Sequence, residues 1–213
     1  MAPKPLATFG GNQPSSVLRC YSGIMLASEK QEILSRLDEG QKALVLALEG
    51  VDREEAAWKP TTREWSILEC VEHLVLSEEF LLSRLEVARS ATEAASSRAR
   101  EAAILSRGLD RSTRVECPDV ARPHGCFGNL QEAVANFSGV RTRTVDWVNR
   151  LEEDPRSRLT DHPLIQGLVS CYEMLLIISV HPRRHAEQIK LIRTSFARSR
   201  RPELTVSLSS DPV

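Results

Sequence analysis

Four separate stretches of this chain place apolar residues three and four positions apart, and none alternates convincingly with period two. That spacing lines one face of an α-helix and cannot line one face of a strand, so it constrains the fold more than any single residue does. Ile33, Leu34, Leu37, Leu44, Val45 and Leu48 make the first stripe, on a helix from about Leu26 to Leu48 stopped by Gly50. Leu68, Val71, Val75 and Leu82, with Leu76 and Phe80, make the second and carry it to about Ala88. Its start is marked by Ser66 followed by Glu69, a capping box in which each side chain takes a backbone N–H of the first turn. Asn129 and Glu132 repeat that spacing at the head of a third helix, which runs to about Leu151. The fourth runs from about Leu168 to Phe196. Helices of this length bury their stripes best against one another. The expected class is all-α, a four-helix bundle over residues 23–197.

The stretches between are less regular. From Ser90 to Gly128 the periodicity is poor, with a helical piece near Ala94 to Leu105 and a long loop carrying Pro118, Pro123, Gly125 and Gly128. Loops of that length inside a domain are frequently functional. Residues 1–22, with Pro3, Pro5, Gly10, Gly11 and Pro14, read as a disordered arm, and residues 198–213 as a flexible tail.

Charge and cysteine usage exclude several classes. Lys and Arg number 28 against 29 Asp and Glu, a net charge of −1, so the chain is not a globally basic nucleic-acid binder. The cluster Arg198, Arg200 and Arg201 is too small to change that. The longest apolar run, Met174 to Val180, falls far short of the roughly 20 residues that cross a bilayer. The N-terminus lacks the apolar core of a secretory signal. The five cysteines are odd in number and hold no C-x-x-C pair, which fits reduced thiols. A cytoplasmic protein without nucleic-acid or membrane partners is expected.

The fourth helix carries the chemistry. His181 and His185 are four apart and stand one turn above the other, on the face that Cys171, Met174, Ile178 and Ile192 turn inward. Two imidazoles at this spacing can share one divalent metal, but a useful site needs a third ligand. His73 on the second helix is the candidate, although periodicity leaves its direction open; Glu69 is engaged in the cap and Glu72 is expected to face solvent. Pro182 stands between the two histidines, removes the N–H that would bond the Ile178 carbonyl, and is expected to kink or bulge the helix. Among the remaining candidates, His124 beside Cys126 reads as a solvated loop pair and His162 before Pro163 as a residue fixing the entry turn. Cys70 and Cys171 read as small buried hydrophobes, Trp58 and Trp65 as packing anchors. Arg183 and Arg184 could draw an anionic substrate, though exposed helix charges usually do nothing specific.

The segment Trp65-Ser66-Ile67-Leu68-Glu69-Cys70-Val71-Glu72-His73-Leu74, followed by Ser77-Glu78, resembles the second-helix signature of the DinB-like superfamily. Trp58-Lys59-Pro60 upstream, His162-Pro163-Leu164-Ile165-Gln166-Gly167, and His181-Pro182-Arg183-Arg184-His185 with Gln188-Ile189 are similar to the family's later elements, in the same order. The resemblance spans roughly Ile33 to Arg193. It implies a four-helix bundle holding a divalent metal, nickel or zinc, on three histidines with open positions left for water or substrate; here these are His73, His181 and His185. It further implies a metal-dependent enzyme that activates a thiol or water toward a small molecule, since characterised relatives include transferases and an isomerase using low-molecular-weight thiols such as mycothiol or bacillithiol. No catalytic base can be assigned from the residues. The alternative is a metal-binding bundle without turnover, acting as a sensor or dimeric module. An open cavity over the metal would favour the enzyme, a filled ligand shell the alternative. Apolar stripes on the first and third helices are wider than one bundle needs, which leaves room for a homodimer.

Overall fold

A computed structural model describes residues 23–91, 96–112 and 115–200. Its helices are α1 (Ala27–Leu48), α2 (Arg53–Ala57), α3 (Ile67–Glu86), α4 (Arg98–Leu109), α5 (Leu130–Asn149) and α6 (Cys171–Ser199), with short 3₁₀ turns at Asp119–Ala121 and Pro155–Ser157. α1 packs on α6 and α5, and α3 packs on α5 and α6, so the four long helices close a ring in the order α1, α6, α3, α5. α4 lies outside that ring against α6. No helix among the described residues is long and apolar enough to cross a membrane.

The helical bundle expected from periodicity is present, but the class is not purely all-α. Strands β1 (Arg89–Ser90), β2 (Arg158–His162) and β3 (Ile165–Ser170) form a small antiparallel sheet in the order β1-β2-β3. Thr160 pairs with Val169, and a register shift follows between Asp161 and His162. The strands are too short for alternation to stand out in the sequence, and Pro163-Leu164 is not a typical hairpin dipeptide. Leu168, expected to open the last helix, therefore belongs to β3. The helix starts after Ser170, whose hydroxyl accepts the Glu173 N–H while the Glu173 carboxylate accepts that of Ser170. At the other end Arg198 and Ser199 continue α6 rather than beginning a tail. The arm at 1–22 and the rest of the tail, 201–213, lie outside the described residues.

The core is divided. One apolar cluster gathers Ile33, Leu37, Leu81, Leu85, Met174 and Ile178; the other gathers Leu44, Leu74, Val140, Phe137, Ala186 and Ile189. Between these groups stand Gly40 on α1, Glu78 on α3 and Ser179 on α6, and the buried Glu78 and Ser179 form a polar layer with Arg141 and Thr144 of α5. The Arg141 guanidinium donates to the Glu78 carboxylate at 2.6 Å and to the Leu37 carbonyl at 2.9 Å, and Thr144 donates to the other Glu78 oxygen at 2.8 Å.

This layer resolves the expected fault at Pro182. α6 runs unbroken from Cys171 to Ser199 with Pro182 inside it. The Ile178 carbonyl, deprived of its helical N–H, faces an Arg141 N–H at 3.5 Å. Gly40 lets α1 approach at that level, because a Cβ there would stand 2.6 Å from the Ser179 carbonyl oxygen. The last helix thus carries His181 and His185 on either side of Pro182 within one span.

Candidate metal centre

The capping box at Ser66 sets where α3 begins: the Ser66 hydroxyl accepts the Glu69 N–H at 3.1 Å and the Glu69 carboxylate accepts the Ser66 N–H at 2.8 Å. Two turns later His73 falls on the face turned to α6 and is buried, which settles the direction that periodicity left open. His181 and His185 meet it there. The Nε2 atoms of His73 and His181 are 3.2 Å apart, and those of His185 and His181 are 3.0 Å apart. All three sequence candidates therefore converge at one point, with their ligand atoms within 4.8 Å of one another.

Hydrogen bonds among the rings alone do not account for this arrangement. His73 Nδ1 lies 2.8 Å from the Ala121 carbonyl, which can only accept, so Nδ1 carries the proton and Nε2 presents a lone pair. Burial lowers the proton affinity of all three rings, and for His181 and His185 the neighbouring histidines lower it further. Neutral rings have one N–H each, so His181 Nε2 can donate to one neighbour and not to both. The Nδ1 of His185 is buried and has no hydrogen-bond partner. A divalent ion fits where hydrogen bonds do not: nitrogens about 2.0–2.1 Å from a tetrahedral zinc stand ~3.3 Å from one another. The Ala121 carbonyl would then act as the outer partner that orients a ligating imidazole.

Ala121 belongs to the long loop between α4 and α5, and a buried acid holds that loop in place. Glu72, expected to face solvent, is 1% exposed. One of its carboxylate oxygens accepts the backbone N–H groups of His124 at 2.7 Å, Gly125 at 2.8 Å and Cys126 at 3.2 Å, and the Cys126 thiol at 3.3 Å. Burial pushes the Glu72 carboxyl up, but these donors outweigh it and hold it below its ordinary range. The same carboxylate and burial push the Cys126 thiol up to about 11. Glu72, His124 and Cys126 are close enough to suggest a second ligand set, yet the acid oxygen is already committed to the loop. Consecutive residues of α3 thus serve one purpose: His73 reaches into the site, and Glu72 fixes the segment whose carbonyl orients it.

The three histidines open on a cavity of about 860 Å³ between α3, α4, α6 and the loop. Trp65 forms part of its wall, with its ring 4.8 Å from that of His73 and 6.3 Å from that of His185, so it shields the ligand rings as well as packing. Cys117 also lines it, its sulfur 3.5 Å from His73 Nδ1, with burial raising the thiol's pKa. His162 borders the cavity from the end of β2; its Nδ1 accepts the Leu164 N–H at 3.2 Å, which fixes the β2–β3 turn rather than the entry to the last helix, and burial pushes it down to about 4. Arg184 lines the cavity, whereas Arg183 turns away to Glu39 at 3.7 Å. Cys70 and Cys171 are buried in the two apolar clusters, and burial raises both thiols to about 12, so neither is a reactive group.

A family model described as the DinB superfamily matches residues 36–189, well over half the chain. The chain belongs to the DinB superfamily. The match takes in all three histidines, Glu72 and the whole intervening loop. Among curated proteins, the uncharacterized protein YuaE of Bacillus subtilis is similar to this DinB superfamily chain, 24% identical over 152 residues that make up 71% of this chain and 91% of YuaE. Among solved structures, YfiT from Bacillus subtilis has the same fold, with a TM-score of 0.57 and 14% identity over 81% of this chain and 90% of YfiT. YfiT is described as a probable metal-dependent hydrolase with an unusual four-helix bundle topology.

Proposed function

We propose that this DinB superfamily member is a metal-dependent enzyme acting on a small molecule, with His73, His181 and His185 holding one divalent ion. The observation that carries the reading is that three neutral imidazoles converge on a single point at the wall of a cavity of about 860 Å³, a size that suits a small substrate. Bound there, such an ion would supply Lewis acidity toward water or a thiol, because three neutral ligands leave its charge undiminished. The chain's own residues do the rest. Ala121 holds the proton of His73 on Nδ1, Glu72 keeps the loop closed over that contact, and Trp65 excludes water from one side of the rings.

Hydrolysis is the reading we favour over thiol transfer, since YfiT, of the same fold, is described as a probable metal-dependent hydrolase. The open cavity weighs against a sensor with a filled ligand shell. The test is metal content by mass spectrometry on tag-free protein, beside His73→Ala and His181→Ala, followed by ester and amide hydrolysis with and without chelator. About one equivalent of nickel or zinc, lost in both variants, with chelator-sensitive turnover, is expected. Metal absent even after reconstitution would sink the enzyme reading.

A further inference from the structure

The cavity that carries the histidines is lined by more cationic than anionic side chains, in a chain whose net charge is −1. Arg63, Arg107, Arg111, Arg122 and Arg184 line it, against the carboxylates of Glu64 and Glu116. Arg122 is spent on Asp119 at 3.1 Å. Arg111 is not committed to an acid in the same way: its guanidinium donates to the Arg184 carbonyl at 3.2 Å and to the Gln188 side-chain oxygen at 3.3 Å, both neutral groups. Those contacts place it over the stretch of α6 that bears His185. The Arg184 guanidinium donates to the Asp110 carbonyl, so both cations are held where the end of α4 meets α6. The same lining includes apolar side chains, Phe80 of α3, Ile104 of α4, and Ile177 and Val180 of α6. A recess lined by both cations and hydrocarbon selects a molecule that carries both an anionic group and an apolar body.

We propose that the cavity takes a small amphipathic anion, a carboxylate or phosphate monoester with an apolar body. Its charged end lies against Arg111 and Arg184 beside the histidines, and its body against Phe80, Ile104 and Ile177. The proposal rests on reading this cavity as the substrate site, and it names the class of substrate. The arginines act whether or not a metal is bound, so the two readings fail separately.

The experiment is isothermal titration calorimetry of the full chain, once stripped with chelator and once loaded with zinc, using 4-phenylbutyrate, phenyl phosphate and the neutral 4-phenylbutyramide. At low salt the better of the two anions is expected to bind on the order of tenfold more tightly than the amide in both forms, with the advantage shrinking at high salt. Which anion wins separates carboxylate from phosphate recognition. The advantage should be mostly lost in Arg111→Gln/Arg184→Gln, partly lost in Arg111→Gln, and unchanged in Arg36→Gln on the far surface of α1. Equal affinities for anion and amide, an advantage that survives the double variant, or no binding of any probe at millimolar concentration would overturn the proposal. A chain that takes up no metal yet prefers the anion would sink the metal reading alone; a metal-binding chain indifferent to charge would sink this one alone.

Discussion

Arg141 and His185 are both almost fully buried, 2% and 6% exposed, yet their neighbours differ in kind. Arg141 is met by the Glu78 carboxylate and by the Leu37 and Ile178 carbonyls, so its charge is answered within the chain although its Nε has no partner. His185 meets two other imidazoles and leaves one ring nitrogen with no partner. The same contrast holds for Arg156 near the other end of the bundle, which is fully buried among Glu29, Glu101 and Asp154 with its guanidinium stacked 3.5 Å over the Tyr172 ring. Charges that bear structure find their complement inside the protein. The histidines instead gather their Nε2 atoms at one point on a cavity, with no charge of the chain to answer them.

That contrast can be broken at several points. The largest effect is expected from Arg141→Met, which leaves Glu78 buried without its cation and should cost about 3–5 kcal/mol in urea unfolding. Glu72→Gln comes next. Losing a charged acceptor of three backbone N–H groups should cost about 2 kcal/mol of stability, and loosening the loop that orients His73 should weaken zinc binding about tenfold. A loss of stability with no change in zinc affinity would show that the loop does not position the ligand.

Acid should act on the histidine side of the comparison. Folded His162 takes up a proton only near pH 4, whereas an unfolded histidine does so near 6.5. The unfolded chain therefore binds more protons between those values, and stability should fall as the pH is lowered through that window. The three clustered histidines, also shifted down, add to the same trend in metal-free protein. Thermal unfolding with chelator between pH 7 and 4 measures it; a flat profile would contradict the burial of these rings.

Smaller effects sharpen the contrast. His185→Gln should change metal-free stability by no more than ~1 kcal/mol, because the ring it removes lacks a full set of hydrogen bonds; a loss as large as that of Arg141→Met would make His185 a structural residue. Smallest is Arg143→Ala. Its pair with Glu79 has the same 2.6 Å separation as Arg141 with Glu78 but lies in solvent, so under ~1 kcal/mol is expected.

The sequence carried much of this site and missed its supports. His181 and His185 were legible because helical spacing alone stacks them on the apolar face of α6. His73 was already the candidate third ligand and the family resemblance supported it, but its inward direction came only from packing. Glu72 was misassigned because α3 is buried on more than one side, against the bundle and under the loop from 115 to 128, while a single-stripe reading sends every acid off the stripe to solvent. The Ala121 carbonyl could not be foreseen, since a backbone oxygen leaves no mark on residue identity.

Periodicity and capping boxes determined four long helices and where two of them start, because those signals are local and depend on residues three and four apart. The three-stranded sheet, the ring order of the helices and the arginine-lined cavity were decided by tertiary structure. Each depends on residues far apart in the chain, Arg89 with Leu159, Glu78 with Arg141, Arg111 with Gln188, whose meeting no local pattern encodes. Pro182 shows the division at one residue. The sequence determined that a helical N–H would be missing beside the histidines, and only the fold supplied the guanidinium of Arg141 facing the carbonyl left behind.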